Sequence, residues 1–393
     1  MKTSTLVAAF LALVASTVAA QNSVSVVLTN EDIADGKERS PDQLKAIQDD
    51  ADVNRKCHET NGGYIASLKP GSYQASKYHN CFRTSTQIYE YLDVLVKQNP
   101  TVLTKFPISK SVTGQTIYGF KLATKPLTKS IYVESLIHAR EWITGSSTVW
   151  SLSRWLDDIA AGKPTPADLF NLYLVPLVNP DGYDISWSGK RYQRKNKNEV
   201  DLNRNFISKF PNPNPPKPSA QDYPGPFPFS EPETAGVAKF TKDNKDELFG
   251  YVDVHANAKS ILYPYGDTFD PIGGGEDEKF VKLGKNMVQA MNSSLYITEP
   301  SGALYLAYGC FDDYHYRSTA KPTLTLEMYG EDFVVPFTSI PQRGDELYRG
   351  LASFFESVRD FNGTATTVAP TPAPTAGPTP VPTSAPVTTK PAC

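Results

Sequence analysis

Hydrophobic residues along this chain fall into two patterns. Ile131–Ile143 (IYVESLIHAREWI), Leu172–Val178, Leu248–His255 (LFGYVDVH) and Thr323–Met328 are short, nearly unbroken apolar runs, the pattern of strands covered on both faces. Elsewhere apolar residues recur at helical spacing. Ile88, Tyr91, Leu92 and Leu95 predict a helix over Ser85–Val96, and Trp150, Leu152, Trp155 and Leu156 mark the core side of another over Trp142–Ile159. Further helices are predicted over Glu276–Met291 and Glu346–Phe361, and Asn179–Gly182 reads as the turn that ends the strand before it. Strands alternating with helices over about 280 residues predict a single α/β domain.

The ends of the chain have a different composition. Lys2, the apolar Leu6–Ala15 and the small Val18, Ala19 and Ala20 read as a secretory signal over 1–20, cut before Gln21. That run is too short for a membrane span, and no later stretch is long and apolar enough for one. Residues 21–77 are polar, with charged stretches at 30–39 and 48–56, and read as an N-terminal extension or short propeptide without a core. The main domain then covers 78–361. Past Phe361 the chain turns to Thr, Pro, Ala and Val, so 362–393 reads as an extended, disordered tail. It serves either as a tether to a cell wall or matrix or as a plain linker.

Asn292 and Asn362 head glycosylation sequons, and the net charge of −3 argues against nucleic acid as a partner. Secretion permits disulfides among Cys57, Cys81, Cys310 and Cys393. Three pairings exist, and proximity favours Cys57 with Cys81.

Candidate chemistry sits where the apolar runs end. His138 and Glu141 close the first, His255 closes another, and two imidazoles with a carboxylate suit zinc. Strand carboxyl ends are also where open α/β sheets place their ligands. His-x-x-Glu alone recurs by chance, and a strand-end histidine is more often hydrogen-bonded than metallated. The wider wording carries more: HAREW, NPDGY (179–183), DLNRNF (201–206), PGPFPFSEPET (224–234) and TLEM (325–328). In this order they resemble the zinc metallocarboxypeptidases of the pancreatic carboxypeptidase A and B type, over roughly residues 78–360.

That resemblance implies a mixed, twisted sheet with helices on both faces, and a secreted exopeptidase acting on peptide or protein C termini. It implies one Zn2+ per chain on His138, Glu141 and His255, with Asp201 orienting the first histidine and Glu327 as general base. Arg194 falls where the family stabilises charge on the scissile carbonyl, although Gln193 precedes it where an aromatic is usual. Asn203 and Arg204 match the clamp for the substrate's terminal carboxylate. Arg140 and Tyr305 match further substrate contacts, Tyr305 on a mobile loop. Counting back without gaps from Glu327 places Asp312 at the floor of the pocket for the last side chain. That position is apolar in A-like members and aspartate in B-like ones, so the expected preference is for Arg or Lys.

Several departures keep alternatives open. Cys310 and Phe311 replace small residues of the pocket wall, and Ala256 and Asn257 stand where digestive members have Ser and Tyr. Asp312 pointing to solvent, A-type specificity, and a non-catalytic peptide- or wall-binding protein are the competing readings. An N-acyl amino acid amidohydrolase is disfavoured by Asn203, Arg204 and Tyr305. The family's larger folded propeptide is not matched by 21–77. His58, His79 and His315 carry no motif and read as surface or structural, and Glu231 and Glu233 as residues of a helix start.

Overall fold

A computed structural model describes residues 28–33 and 37–361. The predicted signal, the tail, Asn362 and Cys393 lie outside the described residues. Seven strands form one sheet: β1 (Leu103–Lys110), β2 (Thr116–Leu122), β3 (Ser130–Ser135), β4 (Asn171–Val175), β5 (Leu248–Tyr263), β6 (Ile297–Pro300) and β7 (Thr323–Tyr329). β1, β2 and β4 pair antiparallel, whereas β3 runs parallel to both β4 and β5, so the sheet is mixed as expected. The β1–β2 hairpin was not anticipated from the apolar runs.

β5 is longer than its apolar run. Its first half pairs with β7 in step, His255 opposite Glu327. Beyond Lys259, whose φ is 61°, the register reverses, with Ser260 opposite Glu327 and Leu262 opposite Thr325. The chain has doubled back there, which leaves Asn257–Lys259 at the sheet's edge above the strand ends.

Alternation along the strands divides the core in two. Ile131, Val133, Leu172, Leu174, Val252 and Val254 belong to one cluster, and Tyr132, Tyr173, Val175 and Tyr251 to the other. Side chains of successive residues point to opposite faces, so a strand apolar throughout must be covered twice. The first face is covered by α3 (Ser85–Gln98), α4 (Trp142–Ala160), α7 (Glu276–Met291) and α9 (Ile340–Phe361). The second takes Val237 of α6 (Pro232–Asp243) and Phe311 of α8 (Phe311–Thr319). Among the described residues no helix is long and apolar enough to cross a membrane.

Three stretches depart from the sequence reading. Asn179–Gly182 does not merely end a strand: it starts α5 (Pro180–Trp187), with the Asn179 side chain accepting from Gly182 N and a proline in the first turn. α9 begins at Ile340, six positions ahead of the predicted Glu346.

The third concerns residues 28–77, which read as too polar for a core. After the short α1 (Asn30–Ile33), they form the 20-residue α2 (Pro41–Thr60), started by a capping box between Ser40 and Gln43. Ile47, Ala51, Asn54 and Cys57 form one buried side of it. Mean composition hid this, because a few apolar residues on one face suffice to dock a helix. Cys57 pairs with Cys81, Asn54 Oδ1 accepts from Phe82 N at 3.0 Å, and Asp50 meets Arg191 at 2.6 Å in a buried ion pair.

Candidate metal centre and substrate cleft

β3 stops at Ser135, and the chain turns through Leu136, at φ 55°, to deliver His138 and then Glu141 at the start of α4. His255 arrives on the adjoining strand β5. His138 Nδ1 lies 3.0 Å from Glu141 Oε1 and 3.1 Å from His255 Nδ1, and His255 Nδ1 lies 3.3 Å from Glu141 Oε2. All three side chains are buried.

The far nitrogen of each ring is engaged as well. His138 Nε2 meets Asp201 Oδ1 at 3.0 Å, and His255 Nε2 meets Asp253 Oδ2 at 2.6 Å. With Nε2 of each ring turned to a carboxylate partner, Nδ1 of each is the nitrogen that faces Glu141 and the other ring. Two ring nitrogens and a carboxylate thus converge on one point. A shared cation satisfies all three, and ligands about 2.0–2.1 Å from a tetrahedral zinc stand about 3.3 Å apart. The donor set and its spacing fit one zinc ion on His138, Glu141 and His255.

Burial would raise the Glu141 carboxyl, but the two histidines outweigh it and hold it below the usual range. Burial is likewise outweighed at Asp201, held well below by Arg194 and His138.

Asp201 serves two partners. Its Oδ2 accepts from Arg194 Nε at 2.9 Å and pairs with Arg194 Nη2 at 2.8 Å. Ala139 N donates to Arg194 O at 3.1 Å, tying that loop to the histidine turn. Gln193, in place of an aromatic, donates to Lys195 O and Glu199 Oε1, so its polar head is satisfied locally.

Glu327 is half-buried opposite His255, with Ala258 N donating to its Oε2 at 3.3 Å. Burial raises its pKa, partly countered by His255.

The clamp candidates stand beside this floor. Asn203 Oδ1 accepts from Phe311 N at 2.8 Å, while Arg204 donates to Asn203 O at 2.6 Å and to the Tyr305 hydroxyl at 3.0 Å. Gly309, at φ 73°, makes the approach of the Tyr305 loop possible: a Cβ there would lie 2.3 Å from Arg204 O. Arg204, Phe206, Phe227 and Tyr305 line a cavity of about 500 Å³. Arg140 sits apart from the clamp, 4.0 Å over the Phe333 ring.

Asp312 is 2% exposed in the first turn of α8, a helix the sequence reading did not predict, and does not point to solvent. Ser301 Oγ and Asp313 N donate to it, and burial raises its pKa. Among the described residues no lysine or arginine forms an ion pair with it. Cys310 is buried and free, 3.4 Å from Arg204 Nη1. His79 and His315 are buried and hydrogen-bonded, in agreement with a structural role. Glu231 and Glu233 accept from Asn196 at the start of α6.

Sequence reasoning missed Asp253. The signal was present, because Asp-x-His on a strand puts both side chains on one face.

Residues 88–350 match the zinc carboxypeptidase family, Peptidase_M14, and the chain belongs to it. Carboxypeptidase B2 of Rattus norvegicus is 29% identical over 274 residues, 65% of this chain and 64% of that protein. Carboxypeptidase A1 of Homo sapiens is also 29% identical, over 297 residues and 70% of each chain. The chain thus spans a little under two thirds of the B2 relative's length. Among solved structures, bovine thrombin-activatable fibrinolysis inhibitor in complex with tick carboxypeptidase inhibitor superposes with a TM-score of 0.65 at 27% identity, covering 72% of this chain and 99% of that one. Relatives named for the A and the B type are equally similar, so likeness alone does not separate the two specificities.

Proposed function

We propose that this protein is a secreted, zinc-dependent exopeptidase that removes single residues from peptide C termini. The observation that carries the reading is the meeting of two ring nitrogens and a carboxylate with Glu327 on the neighbouring strand. Zinc held there by His138, Glu141 and His255 would supply a water acidified to a pKa of about 7. Glu327 is the carboxylate placed to take a proton and pass it to the leaving amine. Arg194, steadied by Asp201, faces the charge developing on the carbonyl oxygen. Asn203 and Arg204 hold the terminal carboxylate, and Tyr305 closes over it. Arg140 contacts the substrate at a distance from the clamp.

For the residue removed we favour Arg or Lys. A buried carboxylate without a cation is costly, and such a substrate side chain brings the cation to Asp312. The competing preference, for apolar or aromatic residues, draws on the Ser301 bond and the raised pKa, which suit a neutral Asp312. The deciding experiment is kcat/KM on acyl dipeptides ending in Arg, Lys, Phe or Leu, with and without a chelator. Turnover that survives zinc removal overturns the metallopeptidase reading. Phe or Leu equal to or above Arg overturns the basic preference, as does Asp312→Ile leaving the order unchanged.

Secretion is supported by the Cys57–Cys81 disulfide together with the signal pattern at 1–20. The tail at 362–393 suits a tether to wall or matrix.

A further inference from the structure

None of the three metal-binding side chains lies before residue 78, yet one side chain of the N-terminal extension reaches the turn that carries two of them. Asp50 of α2 is buried, and its Oδ2 accepts from Arg191 Nε at 2.6 Å. Arg191 is buried as well, its guanidinium 3.8 Å over the ring of Trp142, the first residue of α4. Its two other nitrogens donate to main-chain oxygens, Nη1 to Arg140 O at 2.6 Å and Nη2 to Phe333 O at 3.1 Å.

Arg140 stands between His138 and Glu141, so its carbonyl lies inside the stretch that sets the two ligands against each other. The same stretch is held at Ala139, whose N donates to Arg194 O at 3.1 Å. Both holds come from the segment 191–194, which ends in the guanidinium paired with Asp201. Fixing Arg191 therefore fixes the peptide between the ligands together with the start of the loop that bears Arg194.

A guanidinium so deeply buried needs a counter-charge. Among the described residues Asp50 is the carboxylate that forms an ion pair with it. Asp50 is itself held within α2, where Asn54, one turn on, donates to its Oδ1 at 3.1 Å and to its main-chain oxygen. Asn54 also accepts from Phe82 N, and Cys57 is bonded to Cys81. A chain cut anywhere between Cys57 and Cys81 thus leaves α2 covalently attached to the domain.

We infer that Asp50 is a positioning residue for the metal centre, acting through Arg191 on the main chain between His138 and Glu141, and that α2 is a working part of the enzyme rather than a segment shed on activation. The inference rests on the zinc exopeptidase reading. Its test measures zinc affinity by competition titration and the visible absorption bands of the cobalt-substituted protein, neither of which needs a substrate. Asp50→Ala should weaken zinc about tenfold and shift the cobalt bands, since Arg191 then has no carboxylate to fix it. On acyl dipeptides at saturating zinc, kcat should fall about tenfold with KM nearly unchanged, because the clamp at Arg204 is untouched. Asp50→Glu should recover most of the loss. Ile47→Ala thins the packing of the same helix without removing a partner of Arg191, and should leave zinc affinity and bands as in the wild type. Unchanged zinc affinity and bands in Asp50→Ala overturn the inference, and so does an equal loss in Ile47→Ala. Should Asp50→Ala fail to fold, Asp50→Asn, of the same size but uncharged, decides by the same two measurements, and unchanged values again overturn it. A wild type that binds zinc but cleaves no acyl dipeptide overturns the exopeptidase reading alone, and the zinc comparison still decides the role of Asp50.

Discussion

The metal floor and the clamp beside it are built differently. On the floor, His138 follows the end of β3 and His255 stands midway along β5, and each ring is fixed by a carboxylate on its far side. At the clamp, Arg204 meets a tyrosine that is 58% exposed, on a loop held close through one glycine. On the proposed reading, chemistry that needs tight geometry rests on the sheet, whereas selection of the substrate end rests on parts that can give way.

The largest effect should come from the floor. Glu327→Gln is expected to lower kcat by about 10³-fold with metal content unchanged, because an amide cannot accept the proton. Metal analysis and turnover together check this, and activity within a few-fold of wild type would place the base elsewhere. Burial raises the Glu327 pKa, and in the proposed mechanism the ionised form is the active one. The acid limb of kcat/KM should therefore rise with pH through a value above the ordinary glutamate figure of about 4.3. A limb at or below that figure breaks the assignment.

Next comes the clamp. Arg204→Ala should cost about 10²-fold in kcat/KM on free C-terminal acids, since a charge-assisted pair is lost, while zinc stoichiometry stays the same. Equal cleavage of amidated and free-acid peptides by the wild type would remove the clamp from the account. Asp253→Ala sharpens the contrast from the other side: zinc affinity should fall about 10- to 100-fold by competition titration. Tyr305→Phe should leave that affinity where it was.

The smallest effect belongs to neither region. Burial pushes His79 and His315, which pack under the helices, down to about 3. The unfolded chain protonates histidine near 6.5 while the fold does not, so stability is whole above that value and is lost as pH falls toward 3. From pH 7 to pH 6 the pair should cost about 1 kcal/mol, read from urea melts. A flat response over that interval would mean that both rings are already solvated.

The floor was the more legible of the two regions, for a physical reason. An apolar run that stops at a histidine reports both the strand and the ligand at its end, as at His138 and His255. Asp253 was hidden inside such a run, and its pairing shows only when the alternation of a strand is applied to polar residues as well. Asp312 was placed by counting, but its burial goes with Phe311–Thr319 being a helix, which the sequence reading did not predict. α2 escaped because its buried side is narrow and its mean character polar.

One feature of the sheet also bears on how the protein is made. His138 and His255 are 117 residues apart, and Glu327 reaches its place only when β7 pairs with β5. Contacts of that sequence separation are costly to close, so the complete set of groups exists only once β5 and β7 have paired. A chain still emerging from its ribosome, or one partly unfolded, holds fragments of the cleft but no complete set of cutting groups.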